Sequence, residues 1–331
     1  MRNSHSLLLR SIVLATAMAA ASGCIKSNLQ VRVNPDGSGE IMLSRMFARE
    51  IVAMYDQQRR AMQQSGQMHG EMGMPDDPFF NEKQLSKLAR KLGANVTLVK
   101  AQKLDHPAGR GYCALYAFKN VSDLCINPES IMSDKSMLFS RGMDMDDDTD
   151  EIGTPANMAI GMDPDEAKKS IQFQFTKGAP DKLRVIMPAS ENEGDMPEIP
   201  DESDDEANKD EEPNPFVGDE RNYGRAGGGM YGNIAVAMMK NEGSGMTMDI
   251  SVEVVGTLVQ STASHPDTNV KNRITLLSLD SNKLMSSPKF SGKKRMALVY
   301  GYQSPGHLLN MAQGQPGFVR EAKPEIEIQF Q

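Results

Sequence analysis

The most chemically specific pattern in the chain sits in "QMHGEMGMPDD", where Met68, His69, Met72 and Met74 crowd one short loop, with Met62 upstream. Thioethers and an imidazole are soft or borderline donors, and a loop rich in them suits a soft cation such as Cu(I) or Ag(I). A plainer reading stands beside it. Methionine is frequent everywhere, 25 of 331 residues, so such a cluster can arise from composition alone. A second pattern, "DMDDDTDE", sets Asp144, Asp146, Asp148 and Asp150 at alternate positions. A calcium loop of this kind needs Gly at its sixth place and Glu at its twelfth. Thr149 and Pro155 stand there instead, so a solvated acidic stretch is expected. His69, His106, His265 and His307 form no HExxH pair, and GxSxG, CxxC and the Walker phosphate loop are all missing. A non-catalytic protein without a cofactor is therefore expected. The alternative is an enzyme of unrecognised class, whose residues converge only in space.

Three cysteines remain to be placed. Arg2 and Arg10 flank an apolar run from Ser11 to Ala21, and Ala21, Ser22 and Gly23 lead into Cys24. Charge, a short apolar run and small residues are the parts of a secretory signal, and the run is too short to span a bilayer. A cysteine after such a triplet resembles the lipobox of bacterial lipoproteins, although Ala21 stands where that motif usually has leucine. The resemblance implies a signal peptide over residues 1–23, cleaved before Cys24, and a lipid (palmitate-bearing) anchor on Cys24. Ile25 rather than Asp after the cysteine implies the periplasmic side of the outer membrane in a Gram-negative cell. An ordinary secretory signal with an incidental cysteine is the alternative. Cys113 and Cys125 then form an even pair in a disulfide-permissive compartment. Either a bridge or two buried thiols fits that pair.

The charge is unevenly distributed. Residues 191–220 hold 14 acidic side chains against one basic residue, Lys209, so the acidity of the chain belongs to an insert. That stretch reads as a solvated acidic linker, with a tether for a cationic partner as the alternative. Basic residues elsewhere are scattered, without basic-aromatic patches, and nucleic acid is not an expected partner.

The elements that must position these residues are mostly strands. "LQVRVN" and "EIMLSRMF" flank Pro35-Asp36-Gly37 as a β-hairpin, with Gly37 or Gly39 at positive φ. Phe47, Ile51, Met54, Tyr55 and Met62 share one face of a helix over residues 47–64. Asn81 caps a second helix that presents Leu85, Leu88 and Leu92 and ends at Gly93. "NVTLVKAQKL", "GYCALYAFKN", "SIQFQFTKG" and "DKLRVIMP" read as strands, and a short helix is expected over 230–241. In "GMTMDISVEV", Met246, Met248, Ile250, Val252 and Val254 alternate with polar residues, which predicts a half-buried antiparallel strand. "NRITLLSLD" is its expected partner, Gly256 marks a bulge or close contact, and "EIEIQF" reads as a terminal strand.

The expected fold class is α+β: an antiparallel β-sheet with helices packed on one face and two acidic, mostly disordered insertions. Residues 24–126, 168–188 and 230–331 make the single domain, with the insertions at 127–167 and 189–229. Its "VRVNPDGSG" hairpin, "YCALYAFKNVSDL" element and late "VVGTLVQSTASHPDTNVKNRITL" stretch resemble lipoproteins of the LppM type. That resemblance rests on structural turns, and it implies an envelope-anchored domain of undefined ligand. The function expected is a lipid-anchored, non-catalytic interaction or ligand-binding module of the cell envelope, partnered by the membrane and by an envelope protein or lipid. Its binding face is expected where Met248, Ile250, Val252, Tyr116 and Phe118 meet the helices, unless those residues are plain core. A metal-handling lipoprotein using the Met68–Met74 loop is the other alternative.

Overall fold

The computed structural model describes residues 25–64, 77–132, 168–188, 245–288, 309 and 312–331. Strand β1 (Ile25–Val33) and β2 (Gly39–Ala48) form the expected hairpin, with Gly37 at φ +81° in its turn. Helix α1 (Arg49–Gln64) follows directly, and α2 (Glu82–Leu92) is capped by Asn81, whose side chain accepts from the Gln84 amide at 3.2 Å. Then come β3 (Thr97–His106), β4 (Gly109–Phe118), a short 3-10 turn (Val121–Asp123), β5 (Cys125–Ile126) and α3 (Pro128–Met132). The hairpin β6 (Ile171–Thr176) and β7 (Asp181–Ile186) is followed by β8 (Met246–Val254), β9 (Leu258–Ser261) and β10 (Arg273–Asp280). Helix α4 (Ser281–Ser286), β11 (Phe318–Arg320) and β12 (Glu325–Phe330) complete the described elements.

These strands make two sheets, which corrects the expected fold class. The seven-stranded sheet runs β11-β10-β8-β1-β2-β4-β3, and the five-stranded one runs β5-β6-β7-β12-β9. The protein is mostly β, and the large sheet is mixed rather than antiparallel. Strand β8 pairs antiparallel with β10 but parallel with β1, Leu29 lying opposite Ile250. A two-residue alternation buries one face in either pairing, so it does not tell them apart. The face assigned to helices is taken mainly by the second sheet. Leu29, Ile41 and Ile250 of one sheet belong to the same buried cluster as Phe173, Leu183 and Ile328 of the other. Two half-apolar sheets bury their faces most fully against each other. Among the described helices, α2 adds Leu85, Leu88 and Leu92 to that shared core. Helix α1 packs Ile51, Val52 and Tyr55 on Phe47 and Phe79 in a separate small cluster.

The hairpin turn of the large sheet rests on the small one. Lys177 Nζ donates to the Pro35 carbonyl at 2.8 Å, and a Cβ on Gly37 would stand 2.6 Å from the Phe175 ring. Gly256, with φ +125°, is indeed a close contact: an added Cβ would lie 2.4 Å from the Gln331 carbonyl oxygen. The signal segment, most of both insertions and the helix expected over 230–241 lie outside the described residues.

Candidate functional site

The most distinctive polar arrangement lies along the outer edge of β10. A bulge at Leu276, between Thr275 and Leu277, divides that edge in two. Below it β11 pairs, with Leu277 opposite Arg320 and Leu279 opposite Phe318. Above it the β9–β10 connection takes over: the Thr275 amide donates to the His265 carbonyl at 3.1 Å, and the Asp267 amide to the Arg273 carbonyl at 2.9 Å. Glu321 sits at the junction, its amide donating to the carbonyl of the bulged Leu276 at 2.9 Å.

Glu321 is 2% exposed, and its carboxylate is fully engaged. Oε2 accepts from the Ser264 amide at 2.7 Å, and Oε1 accepts from the Ser264 hydroxyl at 2.8 Å and from the Lys323 amide at 3.1 Å. Burial alone would push this carboxyl up. The Ser264 and Lys323 donors, with the nearby His265, outweigh that and hold it below the usual carboxylate range. It is therefore ionised at neutral pH, and its lone pairs are spent on orienting the two loops.

Beside it opens a cleft of about 670 Å³. Met187, Pro188, Phe318 and Pro324 supply apolar wall, while His265, Arg320 and Lys323 supply polar and basic groups. The Arg320 guanidinium donates to the Pro188 carbonyl, and the Met187 amide donates to the Pro324 carbonyl at 2.9 Å. These contacts tie the exit of β7 to the β11–β12 connection. Burial lowers the Arg320 guanidinium from its ordinary value, yet an arginine stays protonated at neutral pH. Lys323 Nζ donates to the Thr262 carbonyl, so both cations of the wall are anchored to backbone oxygens, and the cleft carries Arg320 and Lys323 against the single ionised carboxylate of Glu321, a balance that favours an anion.

The residues singled out in the sequence lie elsewhere. Cys24, Met68, His69, Met72, Met74 and the Asp144–Asp150 stretch are outside the described residues. Cys113 lies on β4, opposite Ser44 and Gln102, whereas Cys125 lies on β5 in the second sheet, opposite Gln172. No disulfide joins them, and Cys125 is buried. Burial pushes the Cys113 thiol up, against a smaller opposing pull from Lys100. Met248, Ile250, Val252, Tyr116 and Phe118 form no concave binding face; all five are core, at most 4% exposed. Among the described residues no group of three or more His, Cys, Asp or Glu is placed to hold a metal ion. Nor is any described helix long and apolar enough to cross a membrane. Sequence reasoning missed Arg320, Glu321 and Lys323, which belong to no motif and converge with His265 along the shared outer edge of β10.

No family model matches the chain, and no curated protein matches it. Among solved structures, the NMR structure of the folded domain of Mycobacterium tuberculosis LppM is similar over 94% of this chain and 91% of that one. The identity is 6% and the TM-score 0.27. The likeness is remote, and no residue role passes from one protein to the other.

Proposed function

We propose that the chain is a non-catalytic, lipid-anchored protein of the bacterial cell envelope that holds an anionic ligand or partner segment in the cleft beside β11. The observation that carries the anchoring half is the start of β1 at Ile25, one residue after Cys24 and in the middle of the large sheet, between β2 and β8. An acyl group on Cys24 would therefore join the bilayer to a rigid central strand with almost no tether. More than one acyl chain makes such attachment stable. The orientation follows from the register: the end of the sheet with Ile25, Phe47 and Met246 would face the membrane, and the turn around Gly37 would point away.

The binding half rests on the cleft. Its carboxylate is locked by three hydrogen bonds and held ionised, which suits a structural role better than proton transfer. Replacing Cys24 with Ser and following palmitate incorporation and membrane fractionation tests the anchor. Loss of label and release from the membrane fraction are expected; undiminished labelling would overturn the reading.

A further inference from the structure

We propose that the solvent face of α2 is a docking surface for an acidic segment of a partner protein. The surface is separate from the cleft beside β11 and does not depend on it. Four cations converge there: Lys83, Lys87, Arg90 and Lys91 are all exposed, at successive spacings of four, three and one. At 3.6 residues per turn they fall within an arc of about 100°. Leu85, Leu88, Ala89 and Leu92 take the opposite side and are buried in the core shared by the two sheets. The apolar side of the helix is thus already used, and what it offers a partner is charge.

That charge is not neutralised from within. Among the described residues no carboxylate forms an ion pair with any of the four. The helix's one acidic residue, Glu82, has Leu85 and Ser86 three and four positions on, so it makes no helical ion pair. Lys83 with Lys87, and Lys87 with Lys91, are like-charge pairs at i,i+4, and each weakens the helix. Arg90 and Lys91 lie in the last turn, where the helix dipole favours cations, but Lys83 lies in the first turn, where it disfavours them. The stripe works against its own helix, in a chain whose acidic residues outnumber its basic ones by 44 to 36. Carboxylates brought to this face relieve the repulsion, and that complementarity identifies the partner.

The course of α2 favours a protein over an anionic bilayer. Phe79, just before the helix, packs on Phe47 with ring centroids 5.2 Å apart, and Phe47 lies opposite Ile25 at one end of the large sheet. Past the other end of the helix, Gly93 bridges to Leu124, and the Val121 amide donates to the Gly37 carbonyl at 2.8 Å. The helix therefore runs from the Ile25 end of the sheet toward the Gly37 turn. Only here does the proposal rest on the anchoring reading: with Cys24 at the bilayer, the stripe rises away from it, by about 12 Å between Lys83 and Lys91. The field of a charged surface fades over about 8 Å at physiological salt, so headgroups reach the first turn and not the last. Alternate carboxylates of an extended protein segment stand about 6.6 Å apart, close to the rise of about 6 Å from Lys83 to Lys87 and again to Lys91. Such a segment lies along the whole stripe.

The test uses the full chain carrying Cys24→Ser, so that lipid attachment plays no part, and a labelled octaglutamate peptide followed by fluorescence anisotropy at low salt. This protein is expected to bind the peptide saturably and to release it as salt is added. Lys83→Gln, Lys87→Gln and Lys91→Gln together should weaken binding at least about tenfold. Their melting temperature should be no lower than the parent's, because two like-charge pairs are gone. Lys100→Gln, Lys271→Gln and Lys283→Gln remove the same charge at exposed positions on other elements, and should change binding less than about twofold. No saturable binding, indifference to salt, or an equal loss in the two triple variants would overturn the proposal. Sedimentation with vesicles of phosphatidylglycerol and phosphatidylcholine tests the rival occupant. Vesicle binding that needs Lys83, Lys87 and Lys91, and that octaglutamate does not displace, would assign the face to the bilayer instead. Anchoring is read separately, from palmitate incorporation, so a failure here is distinguishable from a failure at Cys24.

Discussion

Both oxygens of the Glu321 carboxylate are held by Ser264, one by its amide at 2.7 Å and the other by its hydroxyl at 2.8 Å. This pair joins the β9–β10 connection to the end of β11. Glu321→Gln puts an amide nitrogen against one of those donors and is expected to cost about 2 kcal/mol at neutral pH. The folded-state carboxyl lies below its ordinary value, so its contribution is present above the unfolded pKa and is lost as pH falls through the folded one. The gap between parent and variant in denaturant midpoint should accordingly narrow in acid. A gap that persists unchanged at low pH would show that charge plays no part.

Asp249 behaves in the opposite sense. It stands on β8 opposite Ser278 of β10. Burial pushes its carboxyl up, and the Ser278 hydrogen bond only partly offsets this. A raised folded-state pKa means that ionisation costs stability, a cost complete above that pKa and gone below the unfolded value of about 3.9. Asp249→Asn is expected to raise the melting temperature at pH 7 and to leave it unchanged near pH 3. A variant that melts lower at pH 7 would refute this.

Gly256 is constrained twice, by φ +125° and by the Gln331 carbonyl oxygen 2.4 Å from any added Cβ. Gly256→Ala is expected to destabilise by about 2 kcal/mol, chiefly through backbone strain. The contacting atom belongs to the backbone, which the Thr257 amide also holds at 2.7 Å, so a side-chain movement gives no relief. Equilibrium unfolding of the variant measures the cost.

Cys113 and Cys125 stand on different sheets and are not joined by a disulfide. Alkylation of the protein unfolded without reductant should modify both. In the folded protein Cys113 should react slowly at mildly alkaline pH, because its raised pKa keeps the reactive thiolate scarce. Recovery of neither label after unfolding would show instead that the two are oxidised.

The parts of the fold that are local were legible in the sequence. The Pro35-Asp36-Gly37 turn, the Asn81 cap and the alternation from Met246 to Val254 each depend on neighbours within a few residues, and each is present. What was illegible is long-range. Strands β5, β9 and β11 are two, four and three residues long, too short to carry a period, yet they edge the two sheets. The parallel partnership of β1 with β8 leaves no mark in either strand, and mistaking it led to a single antiparallel sheet covered by helices. The cleft was hidden for the same reason. Arg320 and Lys323 are ordinary surface residue types, and they meet His265 only because β11 and the β9–β10 connection share the outer edge of β10.

The pairing of β1 with β8 also governs when the molecule can become itself. Met246 follows its partner Ile25 by 221 positions, and the small sheet likewise waits for β12, which separates β7 from β9. A chain synthesised from its N-terminus makes the β1–β2 hairpin early, but that hairpin keeps an unsatisfied edge until residues 246–254 arrive. Contacts so distant along the chain make for slow closure. During that interval the exposed flank of β1 is the point at which a chaperone, or a neighbouring nascent chain, would engage.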